Sequence, residues 1–205
     1  VTSRSQFGTF KLAAGPDTGG VDEIDLTTAR SEGYPSPGAL PVVEPSSLDD
    51  DLARRDFSMN VIAVSLDEAG WGGVTDPFDG RRDLDAGVVR ALHERSFVDD
   101  ATRVLRAVRY SVRLGFQIER ETLRLVRRDL SHLDQISPDR VRHEFDRILQ
   151  EPAAPKMLRT ADDYGILAAI HPALRFDPAT DDDEPVWYSD DGLPTNDVVL
   201  AALFF

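Results

Sequence analysis

Three short stretches concentrate side chains able to do chemistry. The first is Ile24-Asp25-Leu26-Thr27-Thr28-Ala29-Arg30. A carboxylate on a strand between apolar residues can point into a site with other carboxylates and bind Mg²⁺, a hard cation that takes oxygen ligands. On spacing alone, an exposed strand Asp25 paired with Arg30 is the plainer reading. The second runs Asp51-Leu52-Ala53-Arg54-Arg55-Asp56-Phe57-Ser58-Met59-Asn60. Its two adjacent arginines offer fork-shaped donors to phosphate oxygens, and they also fit a solvated charge cluster. The third is Asp99-Asp100-Ala101-Thr102-Arg103-Val104-Leu105-Arg106-Ala107-Val108-Arg109. At helical spacing Asp100 and Arg103 are neighbours on one face and Arg106 continues the row. Acids opening a helix also suit its dipole, so capping with surface ion pairs is the plainer reading of the same residues.

The elements that must position these groups change character along the chain. Phe7, Thr9 and Lys11, then Val21, Ile24 and Leu26, flank the turn-like Ala14–Gly20 stretch and predict a hairpin. Residues 33–47 are rich in Pro, Gly and Ser and predict a loop. Ser46 or Ser47 is placed to cap a short helix through Asp49, Asp50 and Asp51. Residues 59–66 read as a strand and residues 76–80 as a turn. Beyond about residue 93 the pattern is helical. Phe97, Ala101, Val104, Leu105, Val108 and Val112 recur at three and four, predicting one helix that ends near Gly115. Further helices are expected from Glu119 to about Leu130, from Ser137-Pro138 to Leu149, and around Met157 to Tyr164. Residues 176–197 read as an Asp-, Pro- and Gly-rich surface loop. Strands followed by helices without βαβ alternation indicate an α+β fold.

Composition narrows the class. The 205 residues are 41% hydrophobic, enough for a globular core. Apolar runs such as Val198–Phe205 are far shorter than the ~20 residues of a membrane span, and no membrane association is expected. With no cysteine there are neither disulfides nor thiolate metal sites, which fits a cytoplasmic protein. A net charge of −14 opposes nonspecific nucleic-acid binding by the whole surface. Between Asp99 and Arg147, however, eleven Arg and no Lys stand against nine acids, so RNA could bind there. The chain opens on Val and closes on Leu-Phe-Phe within an apolar run, and a longer parent protein is expected.

Taken in series, Phe7-Gly8-Thr9, Ile24 to Arg30, DLARRDFSMNVIA (Asp51 to Ala63), DPFDGRRDL (Asp76 to Leu84), FVDDATRVLRAVRYSVRLGF (Phe97 to Phe116) and Ser137 to Leu149 resemble bacterial class II tRNA nucleotidyltransferases and poly(A) polymerases in order and spacing. The resemblance spans roughly residues 5–170. It implies an incomplete nucleotidyltransferase head with a mixed β-sheet over residues 1–92, a helical neck over 93–150 and the start of a helical body over 151–205.

The resemblance also implies roles. Asp25 matches an active-site carboxylate that binds Mg²⁺, while Arg54 and Arg55 match groups that hold the triphosphate. Asp56 and Asn60 match positions organising the nucleotide near its ribose. Asp100 and Arg103 match an amino-acid template for the base, flanked by Asp99 and Arg106. A carboxylate only accepts and a guanidinium only donates. Together they suit the amino-plus-acceptor edge of cytosine and adenine, and uracil and guanine present the reverse. CTP, ATP and the tRNA 3′ end are the implied partners, and CCA addition the implied activity. Poly(A) polymerases and CC- or A-adding relatives share these motifs. A non-catalytic RNA-binding module is the alternative of another class. Two departures stand out. The neck motif opens Asp99-Asp100 where the family has Glu-Asp, and the Gly-Gly turn and Asp-x-Asp metal pair are absent. The 205 residues alone are therefore expected to be inactive.

Overall fold

The computed structural model describes residues 3–4, 8–13 and 22–176. The chain divides into two compact units, residues 1–35 with 41–55, and residues 36–40 with 56–205. The expected turn at 14–20 and the expected loop beyond 176 lie outside the described residues.

The first unit is built from antiparallel pairs. Strands β1 (Ser3–Arg4), β2 (Phe10–Ala13) and β3 (Glu23–Leu26) form one sheet in that order. The expected hairpin is therefore β2–β3, with Lys11 opposite Asp25 and Phe10 opposite Leu26. Residues 33–47 are not simply a loop. β4 (Arg30–Gly33) pairs with β5 (Val42–Pro45), Ser31 facing Glu44. The strand signal there is short because β5 has four residues framed by Pro41 and Pro45, which masks its two valines. Helix α1 (Leu48–Ala53) starts at Ser47, whose hydroxyl accepts a bond from the Asp50 backbone N–H. Asp49, Asp50 and Asp51 fill its first turn, where carboxylates meet the positive end of the dipole.

The second unit begins with a fully buried Phe57 and a 3₁₀ turn over Ser58–Asn60. The expected strand over 59–66 is reduced to the two residues of β6 (Ala63–Val64), paired with β7 (Val74–Thr75). The physical reason is a tether. The Ser58 hydroxyl donates to buried Asp83 at 2.6 Å, and the segment turns to reach it. The turn at 76–80 leads directly into a helix that periodicity missed, α2 (Gly80–Ala86), whose first N–H groups are taken by the Asp76 carboxylate. A short parallel pair, β8 (Val88–Val89) with β9 (Gln117–Ile118), follows.

The helices are α3 (Ser96–Asp99), α4 (Arg103–Leu114), α5 (Arg120–Asp129), α6 (Pro138–Leu149), α7 (Ala154–Asp163) and α8 (Ile166–Ile170). A 3₁₀ segment over Leu130–Gln135 links α5 to the α6 approach. Their apolar faces share one core in which Phe97, Val104, Leu105, Ile148, Met157 and Leu167 are wholly buried. Gly115 ends α4 at φ 68°, left-handed backbone that glycine adopts without a Cβ penalty. The single helix expected from Phe97 to Gly115 is instead broken at Asp100, which is extended at φ −143° and ψ 98°.

Gly80 fixes the spacing between α2 and the 3₁₀ turn. A Cβ there would stand 2.2 Å from the Ser58 carbonyl oxygen. Gly80→Ala is expected to destabilise the fold by about 1–3 kcal/mol, the range for forced overpacking. Chemical denaturation measures it; a loss below about 0.5 kcal/mol, the scale of a neutral surface change, would show that turn and helix separate freely.

Candidate functional site

The nine sequence-derived positions fall into both units. In the first, Asp25 stands on β3 with its carboxylate largely exposed and 3.8 Å from the Lys11 ammonium. Lys11, not Arg30, is its cross-strand neighbour. Lys11 is held above its usual range, chiefly by a hydrogen bond to Glu23 and then by the charges of Asp25 and Glu23. Among the described residues no group of three or more His, Cys, Asp or Glu side chains is arranged to hold a metal. Asp25 alone does not make a divalent-cation site.

Arg54 and Arg55 are gathered on one carboxylate. Asp51 Oδ1 accepts from Arg54 Nε at 3.1 Å and from its terminal nitrogen at 2.6 Å. Oδ2 accepts from Arg55 at 2.9 Å. Glu32 on β4 takes the remaining Arg54 nitrogen at 2.8 Å. Burial opposes ionisation of Asp51, but the hydrogen bonds and charges of the two arginines outweigh it and hold the carboxyl below its usual range. Arg54 is thus spent on holding the fold. The Arg55 side chain is 40% exposed against 16% for Arg54, which leaves it the better-placed donor for an anion. Asp51 and Glu32 were not singled out from sequence. The i,i+3 and i,i+4 spacing of Asp51 to the arginines was the available signal; Glu32 is 22 residues away from Arg54 and gave none.

In the second unit Asp56, Asn60 and Arg106 come together. Asp56 Oδ1 accepts the Phe57 N–H at 2.9 Å and the Asn60 amide at 3.0 Å. Oδ2 accepts Arg106 Nε at 2.9 Å and a second Arg106 nitrogen at 2.5 Å. Arg106 also donates to the Tyr110 hydroxyl at 3.3 Å and lies 3.8 Å from Glu144 on α6. Burial pushes the Asp56 carboxyl up, yet the Arg106 charge and the bonds from Asn60 and Arg106 prevail and hold it low.

Asp99 and Asp100 diverge. Asp99 pairs with Arg95 one turn back at 3.1 Å. Asp100 directs a single oxygen, Oδ1, at three donors: the Thr102 N–H (3.0 Å), the Thr102 hydroxyl (2.6 Å) and Arg140 (2.8 Å). Its Oδ2 makes no hydrogen bond among the described residues. The carboxylate competes with the helix for the Thr102 N–H, which is why α3 stops and α4 starts anew. Arg103 opens α4 almost fully buried, donating to the Ser96 carbonyl at 3.3 Å and the Ser96 hydroxyl at 3.0 Å. Its charge, after burial, helps keep the His93 pKa below the ordinary imidazole range. Arg140 is a supporting residue that sequence reasoning missed, because nothing local announces a partner 40 residues away.

Two family models match the chain. One, described as "Poly A polymerase head domain", matches residues 1–90, and the other, "Probable RNA and SrmB- binding site of polymerase A", matches residues 115–177. The A-adding tRNA nucleotidyltransferase of Geobacter sulfurreducens is 42% identical over 182 residues, 88% of this chain and 20% of that protein. A CCA-adding enzyme solved in an apo form has a TM-score of 0.79 at 36% identity over 87% of this chain and 42% of that one. The Thermotoga maritima CCA-adding enzyme complexed with tRNA_CCA has a TM-score of 0.69 at 34% identity, over 87% and 39%. The chain thus spans from one fifth to about two fifths of these relatives. A polymerase head portion followed by a helical RNA-binding portion is the class that fold and matches define. Within that class, the chain belongs to the class II family of CCA-adding tRNA nucleotidyltransferases and bacterial poly(A) polymerases.

Removing Asp56 leaves Arg106 without its main partner. Asp56→Ala is expected to destabilise by about 3 kcal/mol, the low end for a broken buried pair because Arg106 keeps some contact with water. A carboxyl whose folded pKa is depressed contributes stability above its unfolded pKa, near 3.9. That stability is lost as pH falls through the folded value. Denaturant melts across pH 2–7 should therefore show the two proteins converging below about pH 4; a constant gap would mean that packing, not charge, carries the loss.

Proposed function

We propose that this chain is the nucleotide- and tRNA-handling part of an enzyme that adds C and A, from CTP and ATP, to the tRNA 3′ end without a nucleic-acid template. The observation that carries this is the state of Asp100. Its Oδ1 is fully used by Thr102 and Arg140, while Oδ2 has no partner among the described residues and can accept from an exocyclic amino group. Arg103, three residues on, supplies the donor for the adjacent ring nitrogen. Wrong bases leave both groups facing like partners, which a buried site penalises strongly. Arg55, with Arg54 behind it, is assigned to the triphosphate. Asp56 and Asn60 position the nucleotide near its ribose, and Arg106 and Asp99 keep the template pair in register. In domain terms we assign residues 1–92 to the head, 93–150 to the neck and 151–205 to the start of the body.

The family's divalent-cation chemistry, with Mg²⁺ as the expected ion, is assigned to Asp25 together with carboxylates beyond it, since Asp25 by itself does not fit the requirement. A cytoplasmic location accords with the substrate, and no described helix is long and apolar enough to cross a membrane.

A second reading, addition of A alone, is favoured by the 42% identity to an A-adding relative. Primers separate the two. A tRNA lacking CCA accepts label from CTP only under the first reading, and a tRNA ending in CC accepts label from ATP under both.

Two variants test the assignments in the complete enzyme. Asp100→Ala removes a charged acceptor worth about 1.5–3 kcal/mol, so kcat/KM for CTP and ATP should fall about ten- to hundredfold. Equal incorporation of all four nucleotides by the unaltered enzyme would sink the template assignment. Asp25→Ala should abolish addition with an unchanged melting curve, and retained activity would make Asp25 a surface residue only.

A further inference from the structure

Away from these clusters, α4 and α6 border a concavity of about 330 Å³ in the second unit. Its lining is Arg109 and Arg113 from α4, Arg147 from α6, and Gln150 and Glu151 just beyond α6. Arg109 is the anomaly. Its side chain is 8% exposed, and Glu144 and Glu151 lie 3.6 and 3.8 Å away, beyond hydrogen-bond reach. Its guanidinium lies 5.0 Å over the Tyr110 ring, and among the described residues neither its buried Nε nor the Glu144 Oε2 beside its terminal nitrogen has a hydrogen-bond partner. Arg113 reaches Glu151 only at 3.5 Å, and Arg147 reaches Glu144 at 3.6 Å. Three guanidinium groups thus converge on two carboxylates at ion-pair distances, with their fork-shaped donors scarcely used. Buried donors normally find partners, and an unsatisfied one calls for a reason.

We propose that this concavity binds a phosphodiester group of the RNA backbone, a contact that rests on the tRNA-handling function above. Three cations against two anions leave one positive charge, the complement of one phosphodiester. Arginine forks match phosphate oxygens in pairs, and the Gln150 amide adds an uncharged donor. Among the described residues the lining holds no aromatic face and no apolar wall on which a base would stack, so the ligand is recognised by charge and oxygen geometry. Arg113 and Arg147 are about half exposed, at 55% and 44%, and stand where a strand passing over the surface would meet them first. In a protein of net charge −14, such a local cationic excess gives RNA a defined point of attachment where most of the surface repels it.

The test is tRNA binding by the complete enzyme across a salt series, with CTP binding measured alongside. Arg113→Ala and Arg147→Ala should each weaken tRNA binding about tenfold, the effect of one charge-assisted hydrogen bond. Each should also lower the salt slope by about one unit, with CTP affinity unchanged. Arg142→Ala, the same charge change at an exposed α6 position outside the concavity, should cost no more than about twofold, the scale of an exposed ion pair. Arg109→Lys keeps the charge but not the fork, and should weaken tRNA binding about as the alanine variants do, with the salt slope and the melting curve unchanged. If Arg113→Ala and Arg147→Ala behave like Arg142→Ala, the inference is overturned while tRNA handling stands. Loss of CTP affinity in step with tRNA would assign the concavity to a triphosphate and also overturn it. No tRNA binding by the unaltered complete enzyme would remove the parent reading and the inference together.

Discussion

Taking the Asp56 carboxylate out of water costs several kcal/mol for the charged form, and the fold meets that cost with four hydrogen bonds. Two come from residues within one turn, Phe57 and Asn60, and two from Arg106, fifty residues on. Such a pair adds little net stability compared with an apolar contact of the same shape. What it supplies is uniqueness. The 3₁₀ turn over Ser58–Asn60 is held against α4 where both ions are satisfied. Tyr110 reinforces that position, its ring edge-on to Phe57 at 5.9 Å and beneath the Arg106 guanidinium at 5.5 Å. Of the candidate nucleotide contacts in the second unit, Asp56, Asn60 and Arg106 belong to this junction itself.

How far these features could be read in advance depended on the range of the interaction. Helix α4 followed from apolar spacing, and Gly115 and Ser137-Pro138 marked where it ends and where α6 begins. The break at Asp100 did not follow, because the apolar period runs straight through Ala101 and Val104. Only a side-chain oxygen competing for the Thr102 N–H interrupts it. Strand β5 and helix α2 escaped notice because each is short and depends on a partner distant in sequence. The site shows the same division. The motif residues themselves were recognisable, but their restraints were not. Glu32 on Arg54, Arg140 on Asp100 and Glu144 among three arginines are long-range choices made by the fold.

Arginine carries nearly all the positive charge, with lysine present only at positions 11 and 156. A guanidinium can hold one carboxylate and still offer nitrogens elsewhere, which a compact ammonium cannot do in a fixed plane. Arg54 divides itself between Asp51 and Glu32, and Arg106 between Asp56, Tyr110 and Glu144. Glu144 in turn stands within 3.8 Å of Arg106, Arg109 and Arg147. One carboxylate therefore links the Asp56 junction to the concavity beside α6. Any anion that draws Arg109 or Arg147 outward changes the field at Arg106.

The asymmetry at Asp100 has a consequence for how base choice is encoded. Three donors converge on Oδ1, and an amide at this position would have no freedom to flip. Its oxygen would have to face Thr102 and Arg140, and its NH₂ would be forced into the place of Oδ2. Replacing one oxygen by one nitrogen would leave the helix start intact while turning an acceptor into a donor. On the proposed role, the scaffold around Asp100 behaves as a fixed socket whose own hydrogen-bond polarity is set by a single atom, while Arg103 remains a donor at the ring nitrogen, so that reading the opposite base edge takes a change at both positions.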